Sequence, residues 1–113
     1  MIISGTEIEL MRGDNDSLTV TRRDKETKNI VPFEAGDKIY FTVKTSTETE
    51  EKEFQIVVES FIEGSAIISF LPEHTRSMRQ GRYYYDIQLT DKSGLITTLV
   101  KSRIKIEGDV TYE

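Results

Sequence analysis

The chain has 113 residues, a formal net charge of −5 and no cysteine, which bounds it to one domain with a single core of moderate size and excludes disulfides and thiolate metal sites. The acidic balance argues against nucleic acid as a partner, because the 15 basic residues are scattered along the sequence. Thirteen Ile, 7 Val and 13 Thr stand against 6 Leu and 2 Ala, a β-branched excess that pleated strands reward and helices do not, so the class is all-β.

Residues 6–11 put Ile8 and Leu10 on one face. The turn formers Arg12-Gly13-Asp14-Asn15-Asp16 follow, and residues 17–22 bring Leu18 and Val20 inward, so a first hairpin is expected. Residues 23–29 are charged or polar without a period and read as an exposed connection ending at Ile30-Val31-Pro32-Phe33, where Pro32 argues against a central strand. After the turn Ala35-Gly36-Asp37, Ile39, Phe41 and Val43 alternate with Tyr40, Thr42 and Lys44 as a half-buried strand. Residues 45–52 hold no apolar side chain and form a loop tip. Phe54, Ile56 and Val58 then share one face while Val57 and Phe61 take the other, a two-sided apolar pattern that calls for cover by a neighbour or a partner.

Glu63-Gly64 turns the chain into Ala66-Ile67-Ile68, a short buried strand. Pro72 at a first helical position and Glu73 in the first turn predict one short helical turn near residues 72–78, ended by Gly81. From Gly81 to Thr90 the alternation is the longest in the sequence: Tyr83, Tyr85, Ile87 and Leu89 point inward, and Tyr84, Asp86, Gln88 and Thr90 point outward. Asp91-Lys92-Ser93-Gly94 is a tight connection to a return strand over 95–100, and residues 101–106 make a last strand. About eight short strands at this spacing predict an antiparallel β-sandwich spanning residues 1–113 as a single domain.

Few residues invite chemistry. His74 is the only histidine and has no nucleophile or metal ligand at a useful spacing, so it reads as a solvated turn residue. Asp14-Asn15-Asp16 with Asp24 lacks the glycine and the bidentate glutamate of a calcium loop, and Arg12-Gly13-Asp14 is ordinary turn chemistry. No catalytic, cofactor-binding or metal residues are assigned, and the chain is expected not to be an enzyme. Tyr84 beside Arg82 is suited to an interface, and Tyr84 with Tyr40 is the aromatic pair a carbohydrate-binding sandwich would use. Neither the opening Met1-Ile2-Ile3-Ser4, too short for a signal-peptide core, nor any later apolar run, none near the roughly 18 residues of a membrane helix, suggests a membrane partner.

Gly81-Arg82-Tyr83-Tyr84-Tyr85 resembles the tyrosine corner of immunoglobulin-like sandwiches, with the Tyr83 hydroxyl expected to bond a carbonyl in the loop before Gly81 and Tyr85 in the place of the inward cysteine of antibody domains. The wider run Thr75-Arg76-Ser77-Met78-Arg79-Gln80-Gly81 through Ile87, with Gly94, Thr98 and the closing Asp109-Val110-Thr111, resembles the immunoglobulin-like domain at the amino end of baseplate upper proteins and related tail components of bacteriophages and prophages. Arg12-Gly13-Asp14 before Leu18-Thr19-Val20, and Ala35-Gly36-Asp37 before residues 39–44, are similar to the first half of that module. The resemblance implies a structural or adaptor module that docks other phage tail or baseplate proteins or further copies of itself. It also implies synthesis in the bacterial cytoplasm followed by residence in the virion tail.

Overall fold

Alternating apolar positions sort the chain into two layers that bury their inner faces against each other. A computed structural model describes residues 1–108; the closing Asp109-Val110-Thr111 lies outside the described residues. The strands are β1 (Ile2–Ser4), β2 (Glu7–Met11), β3 (Asp16–Val20), β4 (Lys38–Lys44), β5 (Phe54–Val58), β6 (Ala66–Phe70), β7 (Gly81–Thr90) and β8 (Ile96–Glu107), with one helical turn, α1 (Pro72–Thr75), between β6 and β7. One sheet has the order β1-β2-β8-β7-β4-β5 and the other pairs β3 with β6. The sequence β8-β7-β4-β5 opposite β3-β6 is the G-F-C-C′ against B-E arrangement of immunoglobulin-like sandwiches. Every described pair is antiparallel except β2 with β8, which run parallel.

Three local expectations are corrected. The segments 6–11 and 17–22 do not pair as a hairpin: β2 joins β1 and β8, while β3 crosses to the other sheet and joins β6. Crossing lets Leu10 and Val20 face each other's layer across the core rather than stand side by side, and both are buried. The two last predicted strands are one, because the register slips between Ile87 and Gln88, leaving Leu99 as an extra residue. That bulge flips the phase, which reads as a strand end in sequence, and lets both Leu99 and Val100 pack on the core. Finally, α1 ends at Thr75, and Gly81 opens β7 rather than capping the helix. The added strand β1 keeps the total at eight among the described residues.

Phe41 on β4 sits at the centre of the core, its ring 5.2 Å from Phe70 edge-on and 5.2 Å from Tyr85 in a stacked arrangement. Such pairs add about 0.5–1.5 kcal/mol each beyond area burial. Tyr83, Tyr85, Ile87 and Leu89 are all buried and Tyr84 is exposed, as the alternation of β7 predicts. The Tyr83 hydroxyl donates to the Arg79 carbonyl at 2.7 Å, and the Tyr85 hydroxyl donates to the carbonyl of Thr6, tying β7 to the β1–β2 turn.

Two connections are held by polar side chains. Asp37, 3% exposed, accepts from the Glu34 amide at 2.8 Å and the Lys92 amide at 3.1 Å, fastening the turn before β4 to the β7–β8 turn. Thr75, also buried, accepts from the Gly13 amide at 2.8 Å, while the Arg12 amide donates to Glu107 and its guanidinium donates to the Met78 carbonyl at 3.2 Å. The Arg12-Gly13-Asp14 turn is thus a clamp between α1, β2 and β8. No described buried side-chain nitrogen or oxygen lacks a partner.

Candidate functional site

The two-stranded layer covers the inner face of the six-stranded sheet, so the outer face of that sheet is the broad regular surface left to solvent. Its residues follow from register. Across one row stand Arg103 of β8, Tyr84 of β7 and Lys44 of β4; across the next stand Lys101, Asp86, Thr42 and Gln55. Arg82 faces Lys105 one row toward the start of β7. Tyr84, 40% exposed, therefore lies within one row of Lys44, Arg82, Lys101, Arg103 and Lys105.

The fold gathers what the linear sequence scatters. Positions 101, 103 and 105 alternate along β8 and so share one face, and pairing with β7 and β4 adds Arg82 and Lys44 beside them. Acidic neighbours offset part of this charge: Arg103 pairs with Glu7, and Lys105 pairs with Glu107 at 2.9 Å. The hydrogen bond and charge of Glu107 raise the Lys105 ammonium above its usual range. Among the described residues, Lys44, Arg82 and Lys101 have no carboxylate within ion-pair distance. Two hollows open on this face. One of about 200 Å³ lies between Ile2, Glu9, Arg82 and Lys105, and one of about 170 Å³ lies between Lys44, Tyr84, Asp86, Gln88 and Thr98.

The other singled-out residues are placed elsewhere. His74 sits at the third position of α1, where its Nδ1 accepts the Leu71 amide at 2.9 Å and its ring stacks on Phe54 at 5.2 Å. It is a helix cap packed on the core and not the solvated turn residue expected. Asp16 accepts from the Ser17 amide and pairs with the Met1 amino group at 2.8 Å, and these contacts lower its carboxyl below the usual range. Asp24 accepts from the amides of Glu26 and Thr27 within its own loop, which lowers it likewise. Both carboxylates are consumed by local structure. Tyr40 does lie on the outer face, opposite Gln88 and Val57, but four residues along from the row of Tyr84, about 13 Å at the rise of a strand. The two rings form no continuous platform. Val57 is 43% exposed beside Tyr40, so the cover its pattern called for is not supplied within the described residues, whereas Phe61 packs on Phe33 at 5.3 Å.

Sequence reasoning singled out Tyr84 and Arg82 but not Lys44, Lys101 or the cation cluster around them. The signal was the alternation in Lys101-Ser102-Arg103-Ile104-Lys105, meaningful only once β8 is known to lie against β7. No protein-family model matches the chain, and no curated protein matches it in sequence.

Proposed function

We propose that this chain is a non-enzymatic adaptor of a bacteriophage or prophage tail, serving baseplate or fibre attachment, and that it holds its neighbour by docking through the outer face of the six-stranded sheet. The observation that carries the docking reading is the exposed Tyr84 set among Lys44, Arg82, Lys101 and Arg103, with Asp86 beside it, where Lys44, Arg82 and Lys101 have no ion-pair partner among the described residues. Tyrosine and arginine are enriched where partners bind, and a rim of one charge steers encounter with a partner of the other. The tail assignment rests on the resemblance carried by the tyrosine corner and the run from Thr75. On this reading the chain is made in the bacterial cytoplasm and resides in the virion.

Mass spectrometry of particles purified after prophage induction in the source bacterium tests it, with peptides such as residues 83–92 expected in stoichiometric amount with tail proteins. Their absence from particles that otherwise contain a full tail would overturn the assignment. A second reading, a carbohydrate-binding module, is favoured by the hollow beside Tyr84, where Thr42, Asp86, Gln88 and Thr98 offer hydrogen-bonding groups around one ring. Glycan-array binding abolished by Tyr84→Ala is its expected outcome, and no binding by the parent protein removes it.

A further inference from the structure

The same face suggests what occupies it. The β4–β5 loop, residues 45–53, carries Glu48, Glu50 and Glu51, all exposed, and among the described residues none of the three has a cation within ion-pair distance. Ser46 and Thr47 at the root of this loop line the hollow that Lys44 and Tyr84 share, so the acidic loop borders the cationic face without neutralising it. The backbone of the loop is shaped by its own side chains, with the Glu48 amide donating to Ser46 Oγ at 3.2 Å and the Glu51 amide donating to Thr49 Oγ1 at 3.2 Å. These turns leave the carboxylates directed to no internal cation.

We propose that the occupant is a second copy of this chain, in a two-fold dimer whose outer sheet faces meet so that each copy's Glu48, Glu50 and Glu51 lie against the other's Lys44, Arg82 and Lys101. The inference rests on reading the outer face as a docking surface. Two-fold symmetry follows from the layout: a negative patch beside a positive patch on one surface is self-complementary when rotated by half a turn, and both contacts form at once. Tyr84 is carried to the middle of the interface, where an aromatic anchor excludes water from the surrounding pairs. Exposed ion pairs are individually weak and screened by salt, so the dimer is of modest affinity and dissociates as ionic strength rises.

Sedimentation equilibrium of the full chain tests this across protein concentration at low and high salt. The wild type is expected to dimerise at low salt and to dissociate at high salt. A loop variant, Glu48→Lys/Glu50→Lys/Glu51→Lys, and a face variant, Lys44→Glu/Arg82→Glu, should each associate at least roughly tenfold more weakly, the loss of a few surface pairs. Mixing the two variants should restore a 1:1 dimer, because the reversed loop then meets the reversed face in one contact and the wild-type loop meets the wild-type face in the other, so both contacts pair opposite charges. Circular dichroism confirms that each variant is folded. A wild type that stays monomeric at low salt, or a dimer that neither variant weakens, would overturn the proposal. So would a monomer whose cationic face instead binds poly-glutamate in a salt-dependent way. None of these outcomes bears on recovery of the chain in tail particles, so the adaptor reading stands or falls separately.

Discussion

Tyr83 and Arg79 lie four residues apart and are joined by a 2.7 Å bond from the tyrosine hydroxyl to the arginine carbonyl. The bond closes the connection between α1 and β7 on itself, so the strand that carries Tyr84 outward enters the sheet at a fixed angle. Removing only the hydroxyl isolates this effect. Tyr83→Phe is expected to cost about 1 kcal/mol, the net worth of one such bond plus an acceptor left short of a partner. Tyr85→Ala, two residues on, removes a ring 5% exposed and stacked on Phe41, and should cost about 3–5 kcal/mol. Urea unfolding checks both: the midpoint falls while the slope stays constant. A loss under about 1 kcal/mol for Tyr85→Ala would mean that the ring is not in the core.

Asp37 is a structural carboxylate that joins two turns. It is buried and accepts two amides, that of Glu34 three residues away and that of Lys92 55 residues away, so its removal leaves both donors without their partner at once. Asp37→Ala should destabilise by about 2–3 kcal/mol, within the range for hydrogen bonds to a charged group. Hydrogen exchange gives the specific signature, since the amides of Glu34 and Lys92 should lose protection together. Loss of protection at only one of them would break the proposed link between the two turns.

The phase of β7 and the tyrosine corner are legible in sequence because both depend on local alternation and on a hydroxyl that must find a nearby carbonyl. The pairing of β2 is not, since Ile8 and Leu10 would be buried equally well in a hairpin or beside β8. What decides is the Arg12-Gly13-Asp14 clamp onto Thr75 and Glu107, a contact between residues some 62 positions apart or more. Likewise the bulge at Leu99 breaks the alternation that would have identified one long strand, and the basic face depends on which strands are neighbours. Asp37 gave a turn signal but no hint of burial, because its second partner, Lys92, comes from a distant turn.

Gly64 is a test of close approach. Its φ is +76°, and a Cβ there would stand 2.5 Å from the Cβ of Pro32, while its carbonyl accepts the Phe33 amide at 2.9 Å. Gly64→Ala therefore meets both backbone strain and a rigid ring, and should cost about 1–3 kcal/mol. Gly94, with φ +93° and open space around it, is the control: alanine there carries only the conformational penalty, about 1 kcal/mol. Equal losses at the two positions, measured by thermal unfolding, would show that Pro32 moves aside.

Alkaline stability reports the two buried phenols. Desolvation is the leading cause that raises Tyr83 and Tyr85 above the ordinary phenol range near pH 10. In the folded state each holds its proton to a higher pH than in the unfolded chain. The folded state therefore binds more protons above pH 10, and stability falls as pH rises. Their contribution is complete below about pH 10 and is lost progressively as pH climbs from there through the folded-state values. Lys92 and Lys105, raised by their glutamate partners at the surface, change stability in the same direction, so the wild-type slope alone is not diagnostic. Tyr85→Phe separates them: it loses the bond to Thr6 at every pH but no longer ionises. Its stability is expected to be lower than wild type at pH 8 and to decline less steeply above pH 10. Parallel declines for the two proteins, followed by urea unfolding at each pH, would show that the Tyr85 phenol titrates alike in both states and is not desolvated by the fold.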